Sequence, residues 1–334
     1  MLKNLKTKLV RRNFLSLSSS ACSLFYLNTI NAFAADTYPN KSIKFIVPYA
    51  PGGGSDILAR PVAAKLTESL GKVVFVENHA GSGTNLGSDL AARSPADGYT
   101  LFMPTIANAI NPTLYPKLPY DPIKDFSYIT NIAKVPGILC INPSLPIHSV
   151  QDLIAYARAK PGKLAFSSAG NGSPHHLAGE LFKIMTNTNM IHIPYKGATP
   201  ALNDVLAGHV QVYFGSIVPA MPHVKSGGLR AIGVTSLKRV SSVPDLPTLD
   251  EQGLKGFETG SWFGVAVPSG TSKDIVQLLN REIVRIIKIP EVIAPIAAEG
   301  ADFVGDSPEE FTKFVKDEIV RWGKVVKISG AKID

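Results

Sequence analysis

Apolar positions along residues 43–103 alternate between two periods. Ile43–Val47 (IKFIV) is a short, nearly unbroken apolar run, as expected of a strand buried on both faces. Leu58, Val62, Leu66 and Leu70 then recur every fourth residue and predict a helix over 56–70, ended by Gly71. Pro61 falls inside that helix and is expected to kink it or delay its start. A second strand is expected over Val73–Val76, a helix running through Leu90–Arg93, and a third strand over Tyr99–Met103. This βαβαβ order predicts a parallel sheet with helices on both faces.

The middle of the chain repeats the scheme. Strands are expected at Leu164–Ser167, Met190–Ile193, Val210–Phe214 and Leu229–Val234, with helices through Leu177, Leu181 and Ile184 and over Ala201–Ala207. Gly260–Val267 predicts a strand that returns the chain to the first half. Thr271 with Asp274 predicts a helix-capping box, and Ser307 with Glu310 a second one with Pro308 at the first helical position. Phe311, Phe314, Val315, Ile319 and Trp322 share a face of that last helix and are expected in the core.

A chain of 334 residues exceeds one ordinary domain and fits two lobes. The formal charge of +8 would suggest nucleic acid, but five positive charges (Lys3, Lys6, Lys8, Arg11, Arg12) precede the first acidic residue, Asp36. Removing those five from +8 leaves +3 for residues 36–334, with no dense basic run, which argues against nucleic acid as a partner.

Residues 1–35 are basic, then apolar and serine-rich, then end in Ala32-Phe33-Ala34, the pattern of a cleaved export signal. Ser18–Ser20, Asn28 and Asn31 interrupt the apolar run, which argues against a membrane anchor. Arg11-Arg12-Asn13-Phe14-Leu15 resembles a twin-arginine signal, an ordinary Sec signal being the alternative. Only Cys140 remains after cleavage, so no internal disulfide can form, and its apolar surroundings mark it as a small buried hydrophobe.

Three turns share one design: Pro51–Asp56, Asn78–Thr84 and Ser167–Ser173 each follow a strand, are rich in Gly and Ser, and open a helix. Glycine lets backbone N–H groups approach a ligand, and a helix start adds partial positive charge. Such turns bind anions without Lys or Arg, at the strand ends where open α/β sheets hold ligands.

Competing chemistries find less support. Gly81-Ser82-Gly83-Thr84-Asn85-Leu86-Gly87 approaches a dinucleotide fingerprint, but the next strand ends in Leu101–Thr105 without the required acidic residue or Arg. No Gly-Lys-Ser/Thr is present, so an ATPase is not supported. Ser173 lies near His175 and His176 and leaves an exported hydrolase using Ser173 and His175 as the alternative function, without a G-x-S-x-G elbow. Adjacent histidines on a helix point about 100° apart and do not readily chelate one metal. No zinc-like set is found, and neither a metal nor a cofactor is expected.

Pro48–Asp56 (PYAPGGGSD), Val76-Glu77-Asn78, Ala96–Leu101 (ADGYTL), Leu118–Asp121 (LPYD), Gly172–Phe182 (GSPHHLAGELF), His192–Gly197 (HIPYKG), Pro244–Thr248 (PDLPT), Ser261–Gly264 (SWFG) and Arg321–Lys324 (RWGK) resemble, in order, the Bug substrate-binding receptors of tripartite tricarboxylate transporters. The likeness spans essentially all of the chain after the leader and departs at His79 and Pro61. It implies an α/β, two-lobed periplasmic-binding-protein fold, a Venus flytrap whose lobes each hold a mixed, mainly parallel sheet flanked by helices. Lobe 1 would comprise 36–136 plus 260–334, and lobe 2 would comprise 137–259. It further implies a periplasmic monomer that captures a small carboxylate and hands it to membrane permease subunits, a sensor kinase being the other possible recipient. Ligand contacts implied by the resemblance are Tyr49, Pro51, Gly53 and Asp56 in the first turn, and Asn78, Gly81 and Thr84 in the second. Ser167, Ala169, Gly170 and Ser173 follow in the third, with Tyr195 and Lys196 beyond it. Asp56 is open to a helix-capping role instead, and Lys196 is either a charge partner or a solvated side chain.

Overall fold

The computed structural model describes residues 38–52, 54–195, 197–297 and 300–333. Residues from Lys41 onward form one compact unit, to which the sheet, the cores and the cleft all belong. The expected export signal lies outside the described residues.

Among the described residues, ten strands run in the order β2-β1-β3-β9-β4-β7-β5-β6, with β8 and β10 also on β4. β1 (Ile43–Val47) pairs in parallel with β2 (Val74–Asn78) and β3 (Thr100–Phe102). β9 (Gly260–Pro268) is antiparallel to both β3 and β4 (Phe126–Ile141). Two-residue β10 (Asp302–Phe303) also lies against β4. On the other side, β5 (Ala165–Ser168) is parallel to β6 (Ile191–Pro194) and β7 (Val212–Ser216). β7 and β8 (Arg230–Val234) are both antiparallel to β4. The expected parallel sheets are therefore mixed, because the long strand β4 and its return β9 run against their neighbours.

β4 changes partners part-way along. Pro136 is opposite Gly260 of β9, and the next residue, Gly137, is opposite Ser216 of β7. One strand thus serves both halves of a two-lobed molecule. Its second half shows why the sequence there is apolar without alternation. Leu139 and Ile141 enter one core with Phe166, Phe182 and Phe214, while Ile138 and Cys140 enter another with Leu202, Val205 and Tyr213. Both sheet faces are covered, so every residue of GILCI is buried except Gly137. Burial drives the Cys140 thiol well above its ordinary range, leaving it a packing group.

The helices are α1 (Gly54–Leu70), α2 (Asn85–Ala92), α3 (Ile106–Leu114), α4 (Val150–Ala159), α5 (Pro174–Thr186), α6 (Ala198–Leu206), α7 (Ile217–Lys225), α8 (Lys273–Ile286), α9 (Pro290–Ala297) and α10 (Pro308–Ser329). Pro61 does not delay α1, which starts at Gly54. The missing Pro61 N–H costs the Ile57 carbonyl its partner, and Ile57 is exposed, where water can replace it. The cap of α8 is Ser272, one residue beyond the expected Thr271: Ser272 Oγ accepts from Ile275 N, while Thr271 Oγ1 donates back to Pro268 O at 2.7 Å. The helix starting later puts Asp274 at the second helical position, short of a capping box. Ser307 and Glu310 do form theirs, reciprocally, at 3.2 and 2.9 Å. Phe311, Val315 and Trp322 of α10 are buried against α3 and Trp262.

Candidate functional site at the crossing of the strands

The first glycine-rich turn is tied together by a carboxylate. Asp56 accepts from Gly52 N at 2.9 Å, Arg60 Nε at 2.8 Å and Asn78 Nδ2 at 3.0 Å. Asn78 also donates to Tyr49 O and accepts from Arg60 Nη2, joining the end of β2 to the turn. Burial alone would raise the Asp56 carboxyl, but the hydrogen bonds from Arg60, Gly52 and Asn78 together hold it below the usual range. Gly52 takes a positive φ of 85°, which the turn needs and a glycine supplies without strain.

The second turn, 81–84, has positive φ at every residue. Asn111 of α3 secures it, donating to Gly83 O at 2.7 Å and Asn85 Oδ1 at 2.8 Å. Thr84 is buried, and its carbonyl accepts from Ser88 Oγ.

The third turn is built on a neutral histidine pair. His176 and His192 stack, and His192 Nε2 lies 2.6 Å from Ser168 Oγ, which also accepts from Gly170 N. Gly172 N donates to His176 Nδ1 at 3.0 Å, and Ser173 Oγ caps α5 by accepting from His176 N at 3.2 Å. Ser167 Oγ is buried without a hydrogen-bond partner.

A cavity of about 590 Å³ opens where β4 and β9 cross. Five helices begin on its wall: Gly54 and Ser55 of α1, Thr105 and Ile106 at α3, Pro174 and His175 of α5, Ala198 of α6, and Ser216 ahead of α7. The first four N–H groups of a helix have no intrahelical acceptor, and the helix start carries partial positive charge. Neither Gly197 nor Ser216 caps its helix with a side chain. Among the described residues lining the cavity, no Asp, Glu, Lys or Arg side chain is present. Burial lowers the pKa of His175 to about 4, so it faces a ligand as a neutral imidazole. Tyr49 OH lies 3.3 Å from Thr105 Oγ1, and burial raises its phenol pKa.

Thr235 fastens the crossing. Its Oγ1 accepts from Gly137 N and donates to Thr259 O, each at 2.7 Å, so one hydroxyl holds both connections between the halves. Behind it, α10 grips the second connection: Arg321 donates to Glu258 O and pairs with Glu318 at 3.0 Å. Buried Glu318 also accepts from the indoles of Trp322, at 2.9 Å, and Trp262, at 3.3 Å.

Of the residues singled out from the sequence, Tyr49 and Pro51 line this cavity. Asp56, Asn78, Gly81 and Thr84 instead shape the first two turns. Ser167, Ala169, Gly170 and Ser173 shape the third, and Tyr195 donates from its hydroxyl to Asp204 at 2.5 Å. Gly53 and Lys196 lie outside the described residues. Among the described residues no hydrogen bond joins Ser173 to His175: Ser173 Oγ accepts from His176 N, and His175 Nδ1 is buried without a partner. The reading from sequence passed over Ser55, Thr105, Ser216, Thr235 and Ser261 as cavity residues. Ser216 had a visible signal, since it follows Gly215 at the end of an apolar strand and directly precedes a helix, as Ser173 directly precedes α5.

A family model described as the tripartite tricarboxylate transporter family receptor matches residues 58–331. BugT of Bordetella pertussis is 40% identical over 302 residues, 90% of this chain and 93% of that protein. Among solved structures, R. palustris Rpa4515 with adipate is 37% identical with a TM-score of 0.76, covering 89% of this chain and 100% of that one. MatC from Rhodopseudomonas palustris with bound malate is 30% identical with a TM-score of 0.73, covering 86% and 100%. On the family match and these similarities, the chain belongs to the tripartite tricarboxylate transporter receptors, the Bug family.

Proposed function

We propose that this protein is a periplasmic receptor that captures a small carboxylate in the cleft and delivers it to the permease subunits of a tripartite transporter. The observation that carries this reading is the five helix starts on a cavity wall whose described lining holds no charged side chain. Backbone N–H groups and neutral hydroxyls can hold an anion there without a competing carboxylate. Adipate in Rpa4515 and malate in MatC support the ligand class. The lobes are residues 36–136 with 260–334, and 137–259, closing about Pro136/Gly137, where β4 changes partners, and Thr259/Gly260, where β9 begins. Tyr49, Pro51, Gly53 and Lys196 touch the ligand directly. Asp56, Asn78, Gly81 and Thr84 act by holding their turns, as do Ser167, Ala169, Gly170, Ser173 and Tyr195. Export uses the Arg11-Arg12 leader, and the receptor works as a monomer without cofactor or metal.

Thermal melts with di-, tri- and monocarboxylic acids test this. An acid at 100 times its dissociation constant stabilises the fold by about 2.7 kcal/mol. A stabilising acid whose effect is lost in Ser216→Pro, which removes a backbone N–H at the cleft, supports the reading. Stabilisation by nucleotides or esters and by no acid sinks it.

A further inference from the structure

Resting on the receptor reading, we infer that the acid captured carries a planar or bulky apolar body behind a single carboxylate, as an aromatic monocarboxylate does. The floor of the cleft is bare backbone: Gly137 of β4, Gly215 of β7 and Gly260 of β9 all line it. A Cβ at Gly215 would come within 2.0 Å of the Tyr213 ring, and one at Gly260 within 2.3 Å of Val135 O, so neither position can readily carry a side chain. Phe263 lines the cavity with Ile106 and Ile296, while Phe214, also on the lining, turns its ring into the core against Phe166 and Phe182. The Phe263 ring reaches the start of α1, where a Cβ on Gly54 would sit 3.6 Å from its Cζ.

Bare glycine backbone and the half-buried Phe263 ring line one cavity, and aromatic rings gain by offset or edge-to-face contact in such a site. Its volume of about 590 Å³ lies within the range of about 300–1,000 Å³ that encloses ring-sized ligands. A second or third carboxylate would be set against Phe263, Ile106 and Ile296, where an unpaired charge is costly.

Calorimetric titration of the purified protein with benzoate, cyclohexanecarboxylate, succinate, adipate and citrate tests this. Benzoate is expected to bind at least tenfold more tightly than succinate or citrate, with a negative heat-capacity change from apolar burial. Phe263→Ala is expected to weaken benzoate tenfold or more while the unliganded melting temperature stays within a few degrees, Phe263 being only half-buried. Phe263→Leu is expected to restore part of the affinity for cyclohexanecarboxylate. Preference for succinate, adipate or citrate, or a Phe263→Ala variant that binds benzoate as well as its parent, overturns the inference and leaves the receptor reading standing. Binding of none of the five acids overturns both.

Discussion

The imidazoles of His176 and His192 stack face to face, with centroids 3.7 Å apart and planes within 11°. Lys183 lies near both rings, and Glu180 is 3.8 Å from His176 Nε2 and paired with Lys183 at 2.8 Å. Burial first, then His192 and Lys183, lower the His176 pKa to about 3; burial first, then Lys183, lowers that of His192 to about 4. An unfolded histidine titrates near 6.5. Below that pH the unfolded chain takes up protons that the folded pair refuses, so stability falls as pH drops from about 6.5 towards 4. The melting temperature is expected to fall by roughly 2 °C or more between pH 7.5 and 4.5. His192→Gln should shallow that slope, as melts at both pH values would show; an unchanged slope would remove the pair from the account.

Glu318 is a single buried carboxylate serving Trp262, Trp322 and Arg321. Its removal leaves two indole N–H groups without an acceptor, each a desolvated donor. Glu318→Ala is expected to cost about 3 kcal/mol in urea unfolding, and Glu318→Gln, which keeps an acceptor oxygen, about half of that. Equal losses in the two variants would mean that packing, and not hydrogen bonding, dominates there.

Gly260 has φ 148° and a backbone neighbour, Val135 O, in the space of a Cβ. Backbone cannot turn aside as a side chain can. Gly260→Ala should therefore shift the second connection against the first, costing about 2 kcal/mol of stability. Ligand affinity should fall with it, because the crossing forms the cleft floor. Gly227→Ala makes the control: its φ of 80° is also positive, but no atom lies within 4 Å of its Cβ. A thermal melt should rank the Gly260 variant well below the Gly227 variant.

The parts legible from sequence were those whose local chemistry was unmixed. IKFIV became β1 without a residue's error, and Ser307-Pro308-Glu309-Glu310 became the start of α10 because its cap, proline and reciprocal glutamate agree. Helices α3 and α7 escaped notice because Pro112 and Pro222 lie inside them and propensity argues against helix. Helix α4 could have been found, since Ser149 caps Asp152 N at 3.1 Å in an ordinary Ser-x-x-Asp pattern. The turns were legible through their glycines. Most of the cavity residues were not, because Thr235 and Ser261 acquire their place only when β4 and β9 meet, an encounter between segments more than a hundred residues apart.

That encounter also dictates an order of assembly. β3 and β4 follow one another in the chain but not in the sheet, where β9 lies between them. Strands β5 to β8 and the second half of β4 all come from residues 137–234 and need nothing later to pair. The β1–β3 sheet, by contrast, stays an open edge until residues 260–268 arrive. The middle of the chain can close before its beginning, and the growing polypeptide must carry an unfinished sheet across more than 150 residues of synthesis.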